Sequence, residues 1–192
     1  MVEITDDPNI IMVFQDEVHF QITTSVTRKW FPKGSAPKVK TPAGKANVAY
    51  SGFMRPDTGE LFVDQTDWFT YESFLESVRN FLKVCSIGDR QKVYLFIDNA
   101  PWHKKAKRLV QEDKLPEYQD IRDKLIFISI PKYSPDLNPI EQCWRITRRE
   151  VTHNTYFKDK LDLECTLDFY FDKYTSPNEK FSSLCSFSWQ HL

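Results

Sequence analysis

Three apolar segments, of which only the last contains a polar residue (Ser129), constrain the fold of this chain more than any other feature. They span residues 10–14, 93–97 and 125–130. A strand with one solvated face alternates apolar and polar residues, whereas a strand buried on both faces is apolar throughout. The three segments therefore predict central strands of a sheet that is covered on both faces. With 192 residues, of which 41% are hydrophobic, the chain can bury such a core in one domain.

The intervening segments predict the remaining strands and the helices. Val18 to Thr24 alternates and is rich in β-formers, so we expect it to pair with the first strand. Two more strands, at 47–54 and 60–65, flank a hairpin turn at 55–59. Helices are predicted at 70–84 with Thr70 as N-cap, 103–111, 138–152, 158–170 and from Ser176 onward. The strands come first as a meander, and strand and helix then alternate, an order that matches an α/β, ribonuclease H-like fold with a mixed central sheet flanked by helices.

Carboxylates follow two of the apolar segments and a third begins a predicted helix. Asp16 ends the first strand and Asp98 ends a later buried strand, while Glu141 lies in the motif at residues 134–141. Ligands of open α/β sheets gather near the carboxyl ends of strands, so the two aspartates are expected to share a site. An aspartate after a strand is also a common turn former. The three acids together indicate a site that holds divalent metal ions.

Two of these motifs also have simpler interpretations. Asn138 is a good N-cap, Pro139 suits the first helical position, and Glu141 then falls at the third, as in a capping box. The same helix start would aim Glu141 rigidly at the strand ends, so the two interpretations are compatible. Glu17 is expected on the face of the strand opposite its neighbour, and Asp136 is expected to organise the loop.

Three segments together resemble the catalytic boxes of the DDE transposases of the mariner superfamily, in the insertion-sequence 630 branch. They are FQDE (14–17), FIDNAPWH (96–103) and PKYSPDLNPIEQCW (131–144), and the resemblance covers residues 9–149. It implies that Asp16, Asp98 and Glu141 are catalytic and bind two Mg²⁺ (or Mn²⁺) ions about 4 Å apart, with Asp16 bridging both. It also implies hydrolysis at a transposon end, followed by attack of the freed 3′-hydroxyl on target DNA.

Two polar residues beside the second box are candidates for supporting roles. Asn99 could hydrogen-bond a metal ligand or simply shape the turn. His103 could orient water or phosphate near the site, or could merely follow the start of a helix. Trp144, three residues after Glu141, is expected to pack in the core against the sheet.

Basic residues are concentrated in a few places although the formal net charge is only −1. Residues 28–45 contain six basic side chains, no acid and interleaved aromatic, proline and glycine residues, which is typical of an arm on a phosphate backbone. An ordinary solvated loop is the alternative. Arg145 and Arg149 follow Glu141 at intervals of four and are expected on its face. The candidate DNA contacts are Arg28, Lys29, Lys33, Lys38, Lys40, Lys45, Lys104, Lys105, Arg145 and Arg149.

We expect residues 1–192 to form a single catalytic domain, with a basic arm or hairpin at about 28–45 and C-terminal helices at about 158–192. Full-length relatives carry helix-turn-helix domains that recognise terminal repeats, but this chain starts 15 residues before Asp16, so we expect that domain to be absent. An upstream-frame helix-turn-helix polypeptide is a candidate partner. The resemblance also implies a homodimer on transposon-end and target DNA. The alternative is a catalytically inactive DNA-binding or dimerisation remnant that modulates a full-length transposase.

Composition excludes several other classes. The four cysteines form no CxxC pair and no metal-ligand spacing, which indicates reduced thiols. No apolar stretch approaches the ~20 residues of a membrane span. We therefore expect a cytoplasmic protein without membrane association, nucleoid-associated if the source is prokaryotic.

Overall fold

The computed structural model describes residues 7, 9–28, 30–35, 38–42, 44–85, 87–88, 91–132 and 134–189. One mixed sheet of five strands, in the order β3-β2-β1-β4-β5, forms the centre of this described part. β1 runs antiparallel to β2 and parallel to β4, β2 is antiparallel to β3, and β4 is parallel to β5. The strands are β1 (Ile10–Gln21), β2 (Asn47–Met54), β3 (Leu61–Thr66), β4 (Lys92–Ile97) and β5 (Leu125–Ser129).

Helices cover both faces of the sheet, as the apolar segments predicted. They are α1 (Tyr71–Val84), α2 (Pro101–Gln111), α3 (Gln119–Lys124), α4 (Ile140–Thr147), α5 (Lys160–Phe171) and α6 (Glu179–Trp189). One core, which includes Val13 and Phe53, lies under α1, α2 and α3. The other includes Phe14 and Trp144 and lies under α4 and α5. Within the described ranges, none of these helices is long and apolar enough to cross a bilayer.

β1 is one continuous strand, so the prediction of a separate strand at Val18–Thr24 was wrong. Residues 10–14 pair with β4 on one edge of β1, whereas residues 14–21 pair with β2 on the other edge, so the pairing changes from one edge to the other at Phe14. The polar residues that follow Phe14 lie inside the strand, just after this change. For the same reason Asp16 does not end the first strand, as we had expected, but lies near its middle.

The predicted start of α1 is correct, whereas that of α4 differs. Thr70 Oγ1 accepts a hydrogen bond from the Ser73 backbone N–H (3.1 Å), and Ser73 Oγ accepts one from the Thr70 N–H (2.9 Å). α4 begins at Ile140 without a side-chain cap, so the capping box predicted at its start does not form. The Asn138 side chain instead donates to the backbone carbonyl of Gln15 on β1 (3.3 Å), which leaves Glu141 free of any capping role.

The helix predicted at residues 138–152 is α-helical only as far as Thr147. Residues Arg148–Thr152 form a π-helical turn, which closes with a hydrogen bond from the His153 N–H to the Arg148 carbonyl (2.8 Å). The next residue, Asn154, holds the root of the basic arm, because its side chain exchanges hydrogen bonds with Thr27 (3.0 and 2.8 Å). The described residues between 28 and 45 are irregular and form no strand.

Candidate active site

The candidate site lies where β1 and β4 separate. Phe14 and Phe96 are the last residues that these parallel strands pair, and their rings stack with centroids 4.5 Å apart. Asp16 and Asp98 each follow two residues later, so the shared register places both acids just beyond the point where the pairing of β1 with β4 ends. Together with Glu141 from the start of α4 they line one open cleft of about 470 Å³. Its other lining residues are Asn99, Ala100, Lys104, Ile130, Pro131, Lys132, Ser134 and Asn138.

Asp16 is the most strongly perturbed acid of the cleft. Its Oδ2 atom accepts a hydrogen bond from the indole Nε1–H of Trp144 on α4 (3.0 Å). Burial, followed by the negative charges of Glu141 and Glu17, raises the pKa of Asp16 to about 8. The contributions of Glu141 and Glu17 mean that negative charge accumulates around Asp16. A cation in the cleft would therefore favour the ionised form of Asp16.

Asp98 is held differently, through a buried imidazole that bridges two carboxylates. His103 Nδ1 lies 2.6 Å from Asp98 Oδ1, and Nε2 lies 2.8 Å from Glu17 Oε1. Burial by itself lowers the pKa of His103, but the hydrogen bonds to Asp98 and Glu17 outweigh it and raise that pKa to about 9. The protonated imidazole therefore donates to both acids at neutral pH, and its hydrogen bond lowers the pKa of Asp98. The Glu17 side chain is 8% exposed and that of Asp98 is 54% exposed, so only Asp98 faces the cleft.

Two asparagines fix the backbone around the acids. Asn99 Nδ2 donates to the Ile130 carbonyl (2.6 Å) and so joins the end of β4 to the end of β5. Asn138 Nδ2 donates to the Gln15 carbonyl, which fixes the orientation of this amide because a carbonyl can only accept. The Asn138 Oδ1 atom is therefore left buried without a hydrogen-bond donor, beside the cleft that this residue lines.

The residue types of the cleft suit a hard divalent cation, although their side chains do not form a complete coordination site. Within the described ranges, no three His, Cys, Asp or Glu side chains stand close enough together to hold a metal ion as they are. The cleft nevertheless offers carboxylates from Asp16, Asp98 and Glu141 and lies beside the donor-free amide oxygen of Asn138. Oxygen ligands of this kind are those that Mg²⁺ and Mn²⁺ prefer.

The structure separates the two neighbouring lysines that were predicted to contact DNA. Lys104 lines the cleft, whereas Lys105 Nζ lies 3.9 Å from the ring centroid of Tyr71 on α1. In the arm, Lys29 lies outside the described residues. The remaining candidates of the arm are all exposed: Arg28, Lys33, Lys38, Lys40 and Lys45.

The arginines that follow Glu141 do not share a single helix face. Arg145 lies on α4, four residues after Glu141, and is exposed. Arg149 lies on the π-helical turn, where the α-helical spacing no longer applies, and it forms an ion pair with Glu150 (3.6 Å). The spacing argument therefore places Arg145, but not Arg149, on the side of α4 that carries Glu141.

The sequence interpretation missed the residues that hold the acids. Trp144 was expected to serve only in core packing, yet it contacts Asp16, and Glu17 was not expected to hold His103. A signal for Trp144 did exist, because residues i and i+3 of a helix lie on one face and Trp144 follows Glu141 at that interval. No comparable local signal pairs Glu17 with a residue 86 positions away.

A mixed sheet in this order, with helices on both faces, is the ribonuclease H-like fold of Mos1 transposase, which confirms the predicted fold. The chain belongs to the family of DDE superfamily endonucleases, whose model matches residues 11–164.

Solved structures of Mos1 transposase share this fold. A paired-end complex with the left transposon end has a TM-score of 0.64 and 15% identity, covering 91% of this chain and 51% of that chain. A paired-end complex of the Mos1 mariner with Mn has a TM-score of 0.63 and 15% identity, covering 92% and 52%. The present chain thus spans about half the length of the Mos1 chains, and at this identity the likeness concerns the fold alone.

Among curated proteins, the chain is similar to an uncharacterized protein, y4pE/y4sA, of Sinorhizobium fredii (strain NBRC 101917 / NGR234). The two are 28% identical over 106 residues, which is 55% of this chain and 70% of that relative. This relative carries no described activity, so the chemistry must be argued from the cleft.

Proposed function

We propose that this chain is the catalytic domain of a transposase, which cuts DNA at transposon ends and transfers the freed strand into target DNA. The observation that carries the proposal is the convergence of Asp16, Asp98 and Glu141 on one cleft from β1, β4 and α4. Membership of an endonuclease family supports the same chemistry. Within that family, the three sequence boxes favour the insertion-sequence 630 branch of the mariner superfamily.

The carboxylates of Asp16, Asp98 and Glu141 would hold the two Mg²⁺ or Mn²⁺ ions. When bound, such ions stabilise the attacking and leaving oxygens of an in-line displacement at phosphorus. The protein's own part is to present the acids in fixed orientations. His103 holds Oδ1 of Asp98, and Asn99 holds the end of β4 against β5, so both act by positioning.

DNA is the substrate that this arrangement favours. Lys104 on the wall of the cleft and the exposed Arg145 on α4 are suited to contact phosphates beside the acids. The arm, with its uncompensated positive charge, would follow the backbone further away. The Mos1 structures are complexes with paired transposon ends, which supports a homodimer on DNA. We further propose a helix-turn-helix polypeptide as the partner that recognises terminal repeats.

The test is cleavage of labelled transposon-end DNA in the presence of Mg²⁺ or Mn²⁺. We expect Asp98→Ala to abolish cleavage, because its side chain faces the cleft, while circular dichroism and the melting temperature show a folded domain. The matched control is Asp136→Asn, which alters an exposed acid of the loop before α4 and should cleave at the wild-type rate. Cleavage that survives Asp98→Ala would refute the assignment of the site.

The same assay distinguishes a catalytic domain from the alternative, a catalytically inactive DNA-binding remnant. A remnant would bind DNA with a steep salt dependence and would show no metal-dependent cleavage in the wild-type chain. We expect wild-type cleavage to need the metal and to stop when EDTA removes it. Wild-type protein that binds transposon ends but never cuts them, even with a helix-turn-helix partner present, would favour the remnant.

A further inference from the structure

We propose that Trp144 is a positioning residue for Asp16 and that Gly52 provides the space which this role requires. The inference rests on the function proposed above, because it concerns how Asp16 is presented to a metal ion. It assigns a task to a tryptophan that core packing alone would otherwise explain. It also assigns a task to a glycine that contributes no side chain to the cleft.

The indole of Trp144 can orient a carboxylate because its own position is fixed. The residue is 1% exposed. Its ring meets Phe20 and Phe171 edge to face, with interplanar angles of 81° and 82°. The Nε1–H group therefore points in one direction, towards Asp16 Oδ2 at 3.0 Å. A hydrogen bond from a rigid donor holds one carboxylate oxygen and so fixes the orientation of the whole carboxylate group.

Gly52 is the residue of β2 that the sheet register places directly opposite Asp16. A Cβ atom added to Gly52 would collide with Cη2 and Cζ2 of the Trp144 ring. The indole thus lies in the volume that any other residue at position 52 would fill. A Cβ atom at position 52 would therefore force the ring of Trp144, or β2 itself, to shift.

Trp144 lies on the same helix, α4, as Glu141. Trp144 follows Glu141 by three residues, so the two side chains project from one face of the helix. A single short helix therefore presents Glu141 to the cleft and orients Asp16 on β1 at the same time. If α4 moved, both acids would lose their places together.

The first test compares Mg²⁺ affinity, measured by calorimetry, in Trp144→Phe and in the wild-type chain. We expect the dissociation constant to rise by about 10-fold or more, as when other hydrogen-bonding partners of metal ligands are removed. The matched control is Tyr50→Phe. It also removes a hydrogen-bond donor to a carboxylate from a buried aromatic residue of the same core, namely the one to Asp168 (2.8 Å). Tyr50→Phe should bind Mg²⁺ with wild-type affinity.

A second test needs no substitution in the core. The chain has five tryptophans, so a ¹⁵N-tryptophan sample gives one resolvable indole N–H signal for each. We expect Mg²⁺ to shift the indole signal of Trp144 while that of the exposed Trp68 stays in place. Gly52→Ala should weaken Mg²⁺ binding although the indole N–H group is still present, because the ring is displaced.

The outcomes separate this inference from the proposed function. If Mg²⁺ binds in a way that Asp98→Ala abolishes, but Trp144→Phe binds it as the wild type does and the Trp144 indole signal does not move, the positioning role is refuted and the function stands. If the folded wild-type chain binds no Mg²⁺ or Mn²⁺ at all, the proposed function and the positioning role fail together.

Discussion

At the scale of single residues, the cleft keeps its two aspartates in opposite protonation states. The pKa of Asp16 is raised to about 8, mainly by burial, so Asp16 carries a proton at neutral pH when no cation is present. The pKa of Asp98 is lowered, mainly by its hydrogen bond to His103, so Asp98 is ionised. A cation that binds both must displace the proton of Asp16, so metal binding should release a proton and strengthen as the pH rises towards 8.

The raised pKa of Asp16 predicts how the stability of the metal-free protein depends on pH. In the folded state Asp16 keeps its proton up to pH about 8, whereas the unfolded chain releases it near the ordinary value of 3.8. The folded state therefore binds more protons between these values, and its stability falls as the pH rises, by at most about 1.4 kcal/mol per pH unit. In Asp16→Asn this contribution should vanish.

Urea denaturation in EDTA from pH 5 to pH 9 measures this effect. The difference in unfolding free energy between Asp16→Asn and the wild type should grow with pH and level off above about 8. The variant Asp136→Asn, at an exposed acid of the loop before α4, should run parallel to the wild type. A constant difference between Asp16→Asn and the wild type would mean that Asp16 has an ordinary pKa.

At the scale of elements, the sequence was informative wherever a local pattern decides the structure. The apolar segments predicted β4 and β5, and the spacing of apolar residues with Thr70 as N-cap predicted α1. β1 was divided in two because its polar residues resemble a break. That they continue the strand depends on β2 and β4, which pair with different halves of β1.

Local patterns in the sequence were informative to the same extent for the site as for the strands and helices. The three acids are recognisable from their boxes, and each motif could be found in a few consecutive residues. Their partners could not, because the contact between Trp144 and Asp16 joins residues 128 positions apart, and Glu17 and His103 are similarly distant. Such contacts follow from how α2 and α4 pack on the sheet, which no local pattern encodes.

The turn between β2 and β3 provides a prediction about how α6 is attached. Gly59 has a positive φ of +76°, and a Cβ atom there would collide with the Asn178 carbonyl just before α6. Gly59→Ala should therefore cost about 1–2 kcal/mol for the left-handed backbone and about 1–3 kcal/mol more for the collision. Urea denaturation at pH 7 measures the sum.

Gly34 is the natural control for this substitution. It also has a positive φ, of +90°, but a Cβ atom added there has nothing within 4 Å. Gly34→Ala should cost no more than the backbone contribution of about 1–2 kcal/mol. Equal losses in the two variants would show that α6 does not depend on the close approach of Asn178 to Gly59.

At the scale of the whole molecule, the near-zero net charge conceals a strong local asymmetry. The chain carries 26 basic and 27 acidic residues, yet the arm contributes no acid at all between residues 28 and 45. A surface of this kind attracts a polyanion locally without making the protein basic overall. Binding to DNA should therefore depend on the arm and on salt concentration.

The triple variant Lys33→Ala, Lys38→Ala, Lys40→Ala tests this dependence. The slope of log K against log[salt] for duplex DNA should become shallower by about 0.9 for each phosphate contact that is lost. The charge-matched control replaces three exposed lysines outside the arm with alanine, namely Lys83, Lys114 and Lys173. Fluorescence anisotropy between 50 and 300 mM salt gives both slopes, and identical slopes would exclude the arm from DNA binding.

Because the two halves of β1 pair with different strands, the pairing also determines the order in which the sheet can form. During synthesis β1 emerges first and can pair with β2 at once, but its other edge stays open until β4, some 80 residues later, has been made. Non-local pairing of this kind is slow, and an open strand edge is prone to aggregation. Asp16 meets Asp98 only then, and it meets Trp144, which lies 128 positions along the chain from Asp16, only after α4 has been made. A ribosome-bound nascent chain therefore has no complete cleft until α4 has emerged, and a polypeptide cut short before that point would lack the activity that we propose.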